Sequence, residues 1–311
     1  MFVLQDLLTV LLETSGFSKQ FKARKFVKFA AMFHELRQLR VAILDLYEGQ
    51  PNEGMRCIRE ILNQFSEINH IDLVLDEFEV RLSQQIPDFT YDIYISSGGP
   101  GSPLESEHSD WEKKYFDFLQ RVTDYNEAAS NPVKKHVFFI CHSFQLACRF
   151  FNVAEVTKRK SSAFGVFPIH LLKGGKSEKV FQGLNDPFYS VDSRDYQVLH
   201  PKQQALRKMG GAVLAIEKER PHVPLDRAIM AIRFNKYMIG TQCHPEADPV
   251  GMTMYLERED KKQMVIENYG LEKWRSMIDH LNDPDKILWT YSHILPNFLS
   301  ISVKHLQSVE V

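Results

Sequence analysis

Cys141, His244 and Glu246 are the residue types that a thiol-based acyl transfer needs. A sulfur attacks, an imidazole holds its proton, and a carboxylate fixes the ring's tautomer and orientation. His244 and Glu246 stand two apart in Cys243-His-Pro-Glu246, where the period-2 geometry of a strand end turns both side chains to one side. Cys141 ends the apolar run Val137-Phe-Phe-Ile140 and is followed by the polar step His142-Ser143 and an amphipathic run through Gln145, Leu146 and Phe150. That pattern predicts a buried parallel strand, a tight turn and a helix. A cysteine on such a turn lies beside the helix N-terminus, where the dipole and free N–H groups favour a thiolate and an oxyanion.

The competing reading of Cys141 is a buried core thiol, because free cysteine is among the most buried residue types. Core packing is the expectation for Cys57, Cys148 and Cys243. His142 is expected to point away from the neighbouring thiol and not to act as its base. A zinc site built from Cys141, His142, Cys243 and His244 would require two adjacent pairs to converge tetrahedrally, so no metal and no other cofactor is expected.

A second stretch suited to chemistry is Ser97-Gly-Gly-Pro-Gly-Ser-Pro103, directly after the strand-like run Tyr91–Ser96. Its glycines punctuate a strand, and they also let backbone N–H groups approach a ligand closely. It lacks the Lys-Ser/Thr pair of a nucleotide P-loop.

The elements around these stretches predict an α/β fold, a doubly wound and mostly parallel sheet flanked by helices. Arg40–Leu46 reads as the first central strand, Met55–Phe65 as a helix, Ile71–Leu75 and its continuation as a strand near an edge, and 109–129 as a helical crossover. Glycines 98 and 99 and Cys141 all fall at carboxyl ends of strands and are expected to face one another. From Glu155 the pattern becomes short β-like runs (155–157, 164–170, 180–181, 189–191, 197–199, 212–217, 228–234), an antiparallel excursion of the same domain. Tyr237–Glu246 returns as another strand, and helices are expected over 249–267, 270–281 and 284–307. The expected organisation is an N-terminal extension over 1–35, one domain over 36–258, and C-terminal helices over 259–311 packed on that domain.

Composition narrows the function. The chain has 311 residues, 38 basic and 40 acidic side chains and a net charge of -2, so it carries no field for a nucleic acid. Its four cysteines show no paired metal spacing and no dense disulfide framework, which suits a reducing cytoplasmic compartment. No apolar run approaches the roughly 20 residues of a membrane span. Phe2–Leu12 is apolar and Lys19, Lys22, Arg24, Lys25 and Lys28 follow it, the reverse of a secretory signal's order, so a peripheral helix or loose extension is expected there.

Tyr91-Asp-Ile-Tyr-Ile-Ser-Ser-Gly-Gly-Pro-Gly-Ser-Pro103, Phe138-Phe-Ile-Cys-His-Ser-Phe-Gln145 and Ile239-Gly-Thr-Gln-Cys-His-Pro-Glu-Ala247 resemble, in order and spacing, the three signature segments of class I glutamine amidotransferase domains, of the kind that serves GMP synthase. The resemblance runs from about residue 40 to about residue 255. It implies Cys141 as the nucleophile, His244 as base and then acid, Glu246 as the orienting carboxylate, and an oxyanion hole from the backbone N–H groups of Gly99 and His142. It further implies substrate contacts from Gly98 and Gln145, and from Ser193, Arg194 and Asp195 at the amino-acid end of the substrate. The sequence departs from the family's glycines at Phe139 and Ser143 and from its usual histidine-glycine at Arg194-Asp195.

Three functions follow. The first is an amidohydrolase that takes glutamine as its small-molecule substrate and passes ammonia to a synthase on a separate chain. The second is a hydrolase of γ-glutamyl amides that works alone, and the third is a binding or regulatory protein on the same scaffold.

Overall fold

The buried apolar runs form the parallel half of a single sheet. Strands β1 (Leu39–Asp45), β2 (Leu73–Glu79), β3 (Ile93–Ser96) and β4 (His136–Ile140) precede β5 (Glu155–Leu171), β6 (Phe188–Leu199), β7 (Ala212–Glu217), β8 (Ile229–Asn235) and β9 (Met238–Thr241). These come from a computed structural model that describes residues 38–50, 52–283 and 285–309, so the expectation for residues 1–35 lies outside them. The sheet order is β2-β1-β3-β4-β9-β8-β7-β5-β6. The first five strands are parallel neighbours, and from β9 onward every pairing is antiparallel.

Alternate residues of the central strands feed two cores, as the pleat requires. Val41, Ile43, Ile95, Phe138 and Ile140 pack on one face with helix α1 (Glu53–Asn69), while Ala42, Leu44, Tyr94, Val137 and Phe139 pack on the other with α2 (Asp110–Glu127) and α3 (His142–Phe150). Asn52 and Ser109 cap α1 and α2 by accepting from Met55 and Glu112 N–H groups. Further along are α4 (Pro249–Glu257), α5 (Glu259–Tyr269), α6 (Leu271–Leu281), α7 (Ile287–Tyr291) and α8 (Ile294–Val309). Phe298, Leu299 and Leu306 of α8 join the α1 core, and Leu256, Val265, Met277 and Leu281 form a third cluster on Val166 and Val191 of β5 and β6.

Several boundaries differ from the sequence reading. Two short runs merge into the single β5, whose pairing with β6 slips between Lys158 and Ala163. The polar residues there read as a turn, but a bulge tolerates them because the neighbouring strand still satisfies the backbone. Val180–Phe181 is part of a 3-10 turn (Lys179–Phe181) and not a strand. The helix expected over 249–267 is two helices that break at Arg258, which turns extended and reaches Asp260. The last helix is divided in the same way, into α7 and α8.

Candidate active site

Cys141 occupies the turn between β4 and α3 with φ 49° and ψ -98°, a conformation rarely adopted by a residue with a side chain. The turn is held because Cys141 N–H donates to Thr241 O at 2.8 Å and Gln145 N–H to Cys141 O at 3.1 Å. Ser143, standing where glycine is usual, adds a fastening: its hydroxyl donates to Ser96 O at 2.7 Å and accepts from Ile140 N–H at 2.9 Å. Phe139 is accommodated by its neighbour on β9. A Cβ on Gly240 would lie 2.9 Å from Phe139 Cβ, so the glycine makes the room, and Phe139 meets Phe234 edge-on at 5.6 Å.

His244 follows β9 and is fixed by its backbone, whose N–H donates to Val191 O at 2.8 Å and whose carbonyl accepts from Ser190 Oγ at 3.2 Å. Its Nδ1 lies 2.8 Å from Glu246 Oε1. Burial alone would lower the imidazole's pKa. The charges of the Cys141 sulfur and of the Glu246 carboxylate outweigh it and hold the pKa well above the ordinary value. Cys141 is 4% exposed and the His244 side chain 15%, so the pair is sheltered but reachable. Glu246 is buried, and its second oxygen, Oε2, has no hydrogen-bond partner among the described residues.

The Gly98-Gly99 turn faces this pair. A Cβ on Gly98 would come 2.9 Å from His244 Cε1, and one on Gly99 would come 2.4 Å from Leu46 O, so neither position has room for a side chain. Ser97 pins the turn by accepting from Leu46 N–H and donating to Gly98 O, and Arg81 Nη1 donates to Pro100 O at 2.7 Å. The Tyr47 hydroxyl sits in the space the missing Cβ atoms of Gly54 and Gly98 leave. Burial, then the charges of Glu246 and Cys141, push that phenol's pKa well above its ordinary value.

The remaining predicted residues divide. Gln145 is buried, its amide N–H donating to Gln242 Oε1 at 3.1 Å and Tyr196 O at 3.3 Å. Ser193 O accepts from the Cys141 sulfur at 3.7 Å. Arg194 turns inward, with Nε on both Asp192 oxygens at 2.8 and 3.0 Å and Nη2 3.6 Å from Glu217. Asp195, the next residue, projects to the opposite face of β6, where it is exposed and accepts from Ser162. Arg159 joins Arg194 on Glu217 at 3.0 Å, giving a buried ionic cluster that no local sequence pattern marks. Sequence reading also passed over Tyr47, Arg81 and Gln242. Gln242 stood inside a recognised segment, where its neighbours His244 and Glu246 drew the chemistry.

His142 is buried between Arg81 and Arg149; burial first and then those charges lower its pKa to about 3, so it is neutral at ordinary pH. Burial raises the thiols of Cys57 and Cys243 to about 12, and Cys148 also upward. Among the described residues no group of three or more His, Cys, Asp or Glu is arranged to hold a metal ion, and no helix is long and apolar enough to cross a membrane. A cavity of about 530 Å³, lined in part by Phe116, Arg149, Phe150 and Lys202, includes none of the residues around Cys141.

A family model described as glutamine amidotransferase class-I matches residues 54–260. Among solved structures, a glutamine amidotransferase from Thermotoga maritima is 14% identical with a TM-score of 0.61, covering 86% of this chain and 99% of its own. A putative GMP synthase subunit from Thermoplasma acidophilum is 14% identical with a TM-score of 0.53, covering 88% and 99%. The glutaminase domain of Trypanosoma brucei CTPS, solved with bound acivicin, is 12% identical with a TM-score of 0.52, covering 86% and 94%. At these identities the likeness is one of fold. No curated protein matches the sequence.

Proposed function

Since the chain belongs to the class I glutamine amidotransferase family, we propose that it hydrolyses a γ-carboxamide, that of glutamine, through a thioester on Cys141 and supplies the ammonia to an acceptor enzyme on a separate chain. The observation that supports this reading is an imidazole, that of His244, held by Glu246 Oε1 at 2.8 Å and with its pKa raised by both the Cys141 sulfur and that carboxylate.

In the reaction the Cys141 thiolate attacks the carboxamide carbon. The negative charge that develops on its oxygen is received by the backbone N–H groups of Gly99 and His142. Protonated His244 gives its proton to the nitrogen, the C–N bond breaks and ammonia leaves. Neutral His244 then takes a proton from water as the oxygen attacks the thioester, the C–S bond breaks, and the thiolate returns with a carboxylate product. Glu246 holds the ring through Nδ1, so that the other nitrogen does the proton transfers. Gly98, Gln145 and the Ser193 backbone form the binding wall, while the Asp195 side chain lies on the opposite face of β6. Arg194 contributes through its neighbours, since its own charge is spent on Asp192 and Glu217.

The test is covalent trapping with acivicin, read by mass spectrometry, beside an assay for glutamate formation with and without added synthases. Adduct on Cys141, blocked by glutamine and slowed in His244→Ala, is the expected result. A protein that never forms glutamate under any of these conditions, with the sulfur still reactive, overturns the reading.

A further inference from the structure

Directly against the sulfur lies a side chain with no assigned part. Gln242 Nε2 is 3.7 Å from Cys141 Sγ, within reach of an N–H···S hydrogen bond, and the residue is fully buried. Its orientation is fixed from the other end, because Gln242 Oε1 accepts from Gln145 Nε2 at 3.1 Å. A flipped Gln242 would set two NH2 groups against each other and turn a carbonyl oxygen toward the sulfur. Gln145 is itself aimed by Tyr196 O at 3.3 Å, and the same carbonyl accepts from Arg194 Nη1 at 3.3 Å. The buried pair of Arg194 and Asp192 anchors the series.

We propose that Gln242 is a catalytic donor to the Cys141 sulfur, and that Gln145 is the positioning residue that holds its amide in the donating orientation. The inference rests on reading Cys141 as the nucleophile. An N–H donor stabilises a negative sulfur more than a neutral one. The bond therefore favours the thiolate before attack, weakens when the sulfur becomes part of a thioester, and strengthens again as the C–S bond breaks and the thiolate departs. Other charged or titratable groups act on the same sulfur: His244 after β9, Arg194 on β6 and Tyr47 after β1. Gln242 differs from His244 and Arg194 in adding a donor without changing the charge of the site.

The experiment measures iodoacetamide alkylation of Cys141, followed on its own peptide by mass spectrometry, in the full chain and in Gln242→Met, Gln242→Glu and Gln145→Met. Near pH 7, Gln242→Met is expected to react about tenfold more slowly than the unaltered chain, the size of one hydrogen bond to a charged group. At about pH 10, where every solvent-reachable thiol is ionised, the two should agree. Gln242→Glu, which sets a carboxylate beside the sulfur, should be slower still near pH 7, and Gln145→Met should fall between. Equal rates at both pH values, or the same slowing at both, overturn the proposal. If Gln242→Met unfolds, Gln145→Met decides by the same comparison. Alkylation needs no glutamine, so this ratio can hold while glutamate formation fails, which separates the inference from the proposed function.

Discussion

Glu246 Oε1 lies 2.8 Å from His244 Nδ1 across the intervening Pro245, so one of the two ring nitrogens is committed to a carboxylate. Replacing Glu246 with Gln keeps the size and removes the charge that helps hold the imidazole's pKa up. In steady-state glutamate formation, kcat for Glu246→Gln should fall about 10³–10⁴-fold with KM little changed. A kcat within about tenfold of the unaltered enzyme would show that the carboxylate does not orient the ring.

Gly99→Ala tests the proposed oxyanion role of the Gly98-Gly99 turn. The added Cβ would approach Leu46 O to 2.4 Å, and both partners are backbone, so the turn has to move. Loss of one aligned N–H donor should lower kcat by about 10²–10³. Acivicin labelling of Cys141 should persist, since the thiol itself is untouched.

Phe139 and Gly240 form a matched pair, one side chain filling the space that the other lacks. Gly240→Ala alone should destabilise the fold by about 1–3 kcal/mol through overpacking. Phe139→Ala alone should cost about 3–5 kcal/mol through the cavity it leaves. Chemical denaturation of the double variant should show a loss smaller than the sum of the two, because the new Cβ occupies part of that cavity.

Buried His136 packs against Tyr237, Phe298 and His305, and burial first, with the His305, Arg233 and Lys236 charges adding to it, lowers its pKa to about 3. Its unfolded value is about 6.5. Between these values the unfolded chain binds the proton and the folded one does not, so stability falls as pH falls through that window. His136→Phe removes this contribution. Between about pH 7 and about pH 4.5, the unfolding free energy of the unaltered chain should drop by about 2–3 kcal/mol more than that of the variant. Parallel pH dependences would mean that the ring is protonated in the folded state.

The sequence was legible where a local pattern carries its own geometry. Apolar runs that stop at Cys141, at Ser96 and before His244 mark strands whose ends must gather at one edge, and glycines at 98 and 99 mark a backbone that must approach something closely. The boundaries that failed are those with no strong local signal, such as the polar bulge between Lys158 and Ala163 and the break at Arg258. The antiparallel runs from 155 onward gave no indication that they extend the same sheet beyond β9, because strand pairing is a relation between distant residues.

Residue types and order alone thus determined the α/β class, the strand–turn–helix around Cys141, and the candidacy of Cys141, His244 and Glu246, since hydrophobic period and turn chemistry are written in adjacent residues. Only the tertiary structure decided that Ser143 fastens the elbow to β3, that Gly240 admits Phe139, that Arg194 is spent on Asp192 and Glu217, and that Gln242 turns its amide to the sulfur. Each of these joins residues on different elements. Their energies depend on distance and burial, which separation along the chain does not specify.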